Sequence, residues 1–119
     1  RLHPILGTYR THYGIDIGAS HGTAILASDS GTVVTSEYSS SYGNYIMISH
    51  GAGGRYTLYA HMSERYSSVG DNVSQGDTIG LVGSTGWSTG PHIHYEIYEG
   101  GTRVNPLDFF SNYQISPNA

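Results

Sequence analysis

The stretch GPHIHYEI, residues 90–97, sets two imidazoles two positions apart in a run of β-strand character. Side chains at i and i+2 of a strand point the same way. His92 and His94 therefore share one face, and Ile93, Tyr95 and Ile97 form the other. Adjacent imidazoles are suited to holding a transition metal or moving protons near neutral pH. A second run, RYTLYAHM (55–62), alternates as well. Its period places Tyr56, Leu58, Ala60 and Met62 on one face and Thr57, Tyr59 and His61 on the other. If the polar faces belong to one sheet, His61, His92 and His94 meet. THYGIDIG (11–18) adds His12 and Asp16. His, Asp and Glu together are the ligand set of a borderline-soft divalent ion, above all zinc. The i, i+4 spacing of His12 and Asp16 suits a helix or a strand, but Gly14 and Gly18 argue against a helix. On a straight strand the two Cα atoms lie roughly 13 Å apart, so a bend at Gly14 is expected.

The elements that must position these groups are short strands. Turn signals recur every few residues (SDSG, SSSYG, GAGG, SVGD, SQGD, STGWSTG, EGG), and the runs between them predict strands near 15–18, 23–27, 31–38, 44–50, 55–62, 78–83 and 91–98. The best helical candidate is NPLDFF, 105–110, with Asn105 as cap and Pro106 in the first turn. The 119 residues suffice for one hydrophobic core without staples. With 17 glycines, eleven tyrosines and few charges, the composition suits a turn-rich β domain. The expected architecture is all-β, a compact antiparallel β-sandwich whose loops wall a groove, over residues 1–110, with a polar tail at 111–119.

Composition also excludes. The net charge is −4 and all five basic residues are scattered arginines, which gives no support for nucleic-acid binding. Cysteine is absent, so no thiol nucleophile or disulfide is available. No apolar run approaches membrane-spanning length. Opening directly on RLHPILGTYR, the chain reads as a mature form or an excised domain, a monomer or part of a larger protein.

In their order and intervals, HYGID (12–16), YTLYAHM with His61, GSTGWSTGPHIHYEI with His92 and His94, and RVNPLDFF (103–110) resemble the M23 family of zinc metallopeptidases, the lysostaphin- and LytM-like endopeptidases. The resemblance covers about residues 6–110. It implies that His12, Asp16 and His94 hold a Zn²⁺ ion and that His61 and His92 are catalytic, flanking a metal-activated water. It further implies hydrolysis of peptide bonds in bacterial peptidoglycan, in stem peptides or cross-bridges, and an extracellular or cell-envelope location. Three protein ligands leave a fourth position open, the mark of a catalytic rather than a structural zinc site. Tyr9 is a further candidate oxyanion donor. The main alternative is a catalytically silent wall-binding or regulatory module on the same fold; the intact ligand set argues against it.

Other features have plainer readings. His3 and His21 are expected at the surface, and His50, on the face of Ile46 and Ile48, as a satisfied structural histidine. Glu96 shares the face of the imidazole pair, but without a His-Glu-x-x-His helix it reads as a groove or ion-pair residue. GSTGWSTG has no following Lys or helix for a phosphate loop, so it reads as a groove wall with Trp87 at its tip. VGDNVSQGDTIGLVGS (69–84) resembles the hairpin of biotinyl and lipoyl carrier domains, yet the chain has no lysine to carry the arm.

Overall fold

A computed structural model describes residues 14–86, 88 and 90–104 of the chain. Among them are nine strands: β1 (Gly14–Gly18), β2 (Ala24–Leu26), β3 (Gly31–Ser39), β4 (Gly43–Ser49), β5 (Arg55–Arg65), β6 (Asn72–Val73), β7 (Thr78–Val82), β8 (His92–Glu99) and β9 (Thr102–Val104). All pairings are antiparallel. The main path runs β1-β8-β5-β4-β3-β6, β9 pairs with β8, and β2 and β7 pair with each other beside the far end of β5. The seven predicted strands are present. The two-residue β6 and three-residue β9 were not foreseen. The one helical element among the described residues is a 3-10 turn at Ala52–Gly54, and none is long and apolar enough to cross a membrane. The proposed helix at 105–110 and the tail lie outside the described residues.

The core explains this order. Ile46 and Ile48 of β4, Tyr59 and Met62 of β5, and Tyr95 and Ile97 of β8 cluster with Ile25 of β2 and Ile79 and Val82 of β7. The small β2–β7 pair thus covers the inner face of the larger sheet. Each aliphatic side chain fully buried there contributes about 1.5–3 kcal/mol.

Strand β5 joins the two layers, and here simple alternation fails. Its first half pairs with β8, Thr57 opposite Ile97 and Tyr59 opposite Tyr95, and cross-strand partners share a face. Thr57 and Tyr59 therefore point into the core, whereas Leu58 and Ala60, opposite Glu96 and His94, lie on the other face. The face assignment read from RYTLYAHM is thus reversed. A straight strand would have buried His61 beside Tyr59. Instead the ladder to β4 steps from Ile46↔Tyr59 to Asn44↔Met62, three residues of β5 against two of β4. This is a bulge, and within it His61 has φ 61°, the one non-glycine residue with positive φ among those described. The extra residue turns His61 to the face of His94 and returns Met62 to the core. Beyond it, β5 pairs with β7, as strands that change sheet through a bulge do.

Candidate functional site

Four of the five predicted site residues converge on the outer face of the β1-β8-β5 sheet. Asp16 lies directly opposite His94 and Gly18 opposite His92, which places the carboxylate among the imidazoles. Asp16 Oδ1 is 2.8 Å from His94 Nδ1 and 3.6 Å from His92 Nε2. The His61 ring centre is 4.8 Å from that of His92 and 6.1 Å from that of His94. Leu58 and Ala60, buried beneath them, form an apolar floor. His12 and Tyr9 lie outside the described residues, as does Trp87. The described part of the first motif, Gly14–Gly18, pairs with β8 without a register break; the bend expected at Gly14 involves residues 12 and 13, which lie outside the described residues. That glycine has another reason. A Cβ on Gly14 would lie 2.5 Å from His94 Cε1 and 2.8 Å from its Nε2, so the imidazole occupies the space a side chain would need.

The protons can be placed from the partners. His61 Nδ1 lies 2.6 Å from the Thr85 carbonyl and His92 Nδ1 lies 2.8 Å from that of Gly90. A carbonyl only accepts, so each Nδ1 carries the hydrogen and each Nε2 keeps the lone pair. Both anchoring carbonyls lie between β7 and β8. His92 Nε2 is buried with no hydrogen-bond partner among the described residues. Burial holds the His61 pKa below its ordinary value, outweighing the Thr85 carbonyl, and the neighbouring His92 and His94 push the same way. His61 is therefore a neutral base at pH 7.

His94 is the opposite case. Burial disfavours its charged form, but hydrogen bonds and charge from Asp16 and Glu96 win and hold its pKa at about 9. Its Nε2 is 2.8 Å from Glu96 Oε2. Glu96 is only 1% exposed. It accepts from the Tyr42 and Tyr98 hydroxyls and from Arg103 as well as His94, and these donors hold it ionised below its ordinary pKa despite burial. Of the two roles expected for Glu96, the ion-pair role holds; at that burial it does not face a groove.

The backbone around the site is cross-braced. The Gly83 N–H donates to the His61 carbonyl, and the Gly83 carbonyl accepts the His92 N–H, so one residue ties the two imidazole-bearing strands together. A Cβ on Gly83 would lie 2.5 Å from Ser63 N, which leaves no room for another residue. Thr85 Oγ1 donates to the Met62 carbonyl and accepts the Asn44 N–H, fixing the carbonyl that holds His61. Tyr42, Thr85 and Arg103 escaped the sequence reading because they reach the site from turns and a short edge strand. Tyr98 was within reach, two residues beyond Glu96 on the same face.

Among the described residues no three His, Asp or Glu side chains gather as a metal cage; Asp16 and His94 are two donors of the expected three. His50 has both ring nitrogens bonded, to the Ser30 carbonyl and Thr57 Oγ1, and is structural as expected. His21 is exposed.

Comparison with known proteins supplies the frame for this geometry. Residues 10–106 match the model of peptidase family M23. The chain is 50% identical over 107 residues to the DD-carboxypeptidase/endopeptidase Mpg of Neisseria meningitidis, covering 90% of this chain and 24% of that protein. It is 43% identical over 106 residues to the peptidoglycan DD-endopeptidase ShyC of Vibrio cholerae, covering 89% and 24%. The chain thus spans about a quarter of the length of these relatives. A zinc-containing peptidase from Vibrio cholerae superposes with a TM-score of 0.76 at 32% identity, over 87% of this chain and 32% of that one. With the family pattern matched over most of its length and an antiparallel β fold like that of a solved zinc-containing peptidase, this chain belongs to peptidase family M23.

Proposed function

We propose that the chain is a zinc-dependent endopeptidase acting on bacterial peptidoglycan, with His12, Asp16 and His94 as metal ligands and His61 and His92 as catalytic residues. The observation that carries the reading is the arrangement of nitrogens at one point. Asp16 and His94 Nδ1 stand together, and His92 keeps a buried Nε2, without a hydrogen-bond partner among the described residues, 3.6 Å from the same carboxylate oxygen. An orphaned buried nitrogen is costly and is explained by a substrate or water that occupies the site in turnover. The donors suit zinc: a carboxylate oxygen from Asp16 and an imidazole nitrogen from His94 on the facing strand. A zinc ion held there supplies Lewis acidity toward the scissile carbonyl and makes water more acidic. His61 and His92 would use their Nε2 lone pairs to accept a proton from the attacking water and return it to the leaving amine. The Asp16 carboxylate orients His94 from the opposing strand.

Both relatives are named for DD cleavage, which favours a link between D-configured residues of stem peptides over a glycine cross-bridge. Such a substrate implies action in the cell envelope or outside the cell. The test is metal content and fragment release together. The purified chain should hold close to one zinc, release peptides from isolated peptidoglycan, lose this on chelation and regain it with zinc. A folded chain that holds no zinc and cuts nothing would instead be a silent wall-binding module.

A further inference from the structure

The face that carries the imidazoles also holds an anion that the proposed reaction does not use. Glu96 is 1% exposed, sits on an apolar floor with Leu58 as its cross-strand partner, and is the acceptor for four side chains. Tyr42 reaches both carboxylate oxygens, at 3.0 and 2.9 Å; Tyr98 donates to Oε1 at 2.8 Å; Arg103 reaches Oε2 at 3.2 Å. The fourth is His94 Nε2, at 2.8 Å from Oε2. Burying a carboxylate is expensive, and a structural anchor would be made more cheaply by an apolar residue. The donors also come from separate places, the turn before β4, the end of β8 and strand β9. They surround the carboxylate on its other sides and aim its remaining acceptor capacity at one atom of His94. Tyr42 lies against the imidazole as well, ring centres 6.0 Å apart and planes 26° from parallel, so rotation of the His94 ring is opposed on its face and at its edge.

We propose that Glu96 is a positioning residue, held by Tyr42, Tyr98 and Arg103, which fixes the His94 ring by accepting its Nε2 hydrogen and keeps Nδ1 turned toward Asp16 and the metal. The inference rests on the zinc reading above and adds to it a buried four-donor support behind one ligand. Its function is to fix which nitrogen coordinates and at what angle, since a ligand imidazole with a free far edge can turn or change tautomer.

The experiment uses the 119-residue chain, zinc, and three variants: Glu96→Gln, Glu96→Leu and Tyr42→Phe. Zinc affinity is measured by competition with a chromogenic chelator, and the His94 Nε2 proton is followed by nitrogen-edited NMR in the zinc-loaded form. Glu96→Gln keeps an acceptor oxygen, so affinity should stay within a few-fold and the proton should remain slowly exchanging. Glu96→Leu keeps the volume but removes the acceptor, and should weaken zinc binding about 10–100-fold, with the Nε2 proton lost to fast exchange. Tyr42→Phe leaves the His94–Glu96 bond in place but loosens the carboxylate, and should weaken zinc binding several-fold even if Glu96→Leu does not fold. Wild-type affinity in both Glu96→Leu and Tyr42→Phe, or in Tyr42→Phe where Glu96→Leu is unfolded, would overturn the proposal while leaving the zinc reading intact. A wild-type chain that binds no zinc would overturn both.

Discussion

The two faces of the β8–β5 sheet solve the same problem differently. Each sets histidine and hydroxyl or carboxylate groups against an apolar background. On the inner face His50 uses both ring nitrogens, and Thr57 links it to the Tyr59 hydroxyl, which meets Ser28, which meets the Tyr95 hydroxyl. That relay lies beside a cavity of about 200 Å³ lined by Ser28, Asp29, His50, Arg55, Thr57, Tyr95 and Ile97, and its members bond to one another. On the outer face His92 is left with a buried nitrogen that none of the described residues satisfies, and His61 sits on backbone with φ 61°. Networks that satisfy themselves stabilise a fold. Orphaned atoms and positive-φ side chains cost stability, and they concentrate where something else must bind. The difference separates the structural histidine from those proposed for chemistry more sharply than residue type does.

The largest expected effect breaks the comparison at its centre. His61→Ala and His92→Ala should each lower turnover about 10²–10⁴-fold while the zinc content and the circular dichroism spectrum stay unchanged. His50→Ala on the opposite face should leave turnover within about twofold. It should cost about 1–3 kcal/mol of stability, because the Ser30 carbonyl and the Thr57 hydroxyl lose their partner. Steady-state rates on peptidoglycan fragments and urea melts on all three variants would check this. A His50 variant as inactive as the other two would erase the distinction between the faces.

The outer face also predicts a pH dependence that zinc should remove. In the metal-free chain the His94 pKa is raised to about 9. Its stabilising contribution is therefore complete below the unfolded value of about 6.5 and is lost as pH rises through about 9. Zinc bound through Nδ1 must displace that proton, so zinc affinity should climb about tenfold per pH unit, roughly a hundredfold from pH 6 to pH 8. Chelator competition at three pH values measures this. Paired thermal melts should show the metal-free chain weakening between pH 6.5 and pH 9.5 and the zinc-loaded chain holding. A zinc affinity independent of pH over that range would mean that His94 does not carry the displaced proton.

What the sequence disclosed, and what it hid, follows from the range over which each interaction acts. Alternation and the turn signals that bound it are local, so seven of the nine described strands and the shared face of His92 and His94 were legible from GPHIHYEI and the other runs. The bulge at His61 was not, because nothing in RYTLYAHM marks where a strand changes sheet; the residue there is not glycine. Alternation alone therefore assigned the faces of β5 the wrong way round, yet placed His61 with the other imidazoles for a reason that does not hold. The family resemblance identified the same residue without needing the geometry. The donors around Glu96 come from residues 42, 98 and 103, and no pattern in sequence joins a turn tyrosine to an edge-strand arginine. Gly14 was legible as a glycine but not in its purpose, since its neighbour His94 lies across a strand pairing.

The smallest expected effect concerns the backbone at the bulge. An L-residue in the left-handed region costs about 1–2 kcal/mol relative to glycine, and the gain from replacing it with glycine is partly offset by the greater freedom of glycine in the unfolded chain, about 0.4–1 kcal/mol. With φ 61° at position 61, His61→Gly should therefore be more stable than His61→Ala, by up to about 1.5 kcal/mol. Ala60, one residue earlier, is fully buried and is not among the positive-φ residues. Ala60→Gly should be destabilising by about 0.5–1 kcal/mol or more, since it gains unfolded-state entropy and relieves nothing. The sign of the alanine-to-glycine change should thus reverse between neighbouring residues of one strand. Urea denaturation of metal-free Ala60→Gly, His61→Ala, His61→Gly and the unmodified chain isolates that reversal from any loss of metal. If glycine is the less stable choice at both positions, β5 runs straight in solution. His61 would then point into the core, and the outer face would lose one of its two proposed bases.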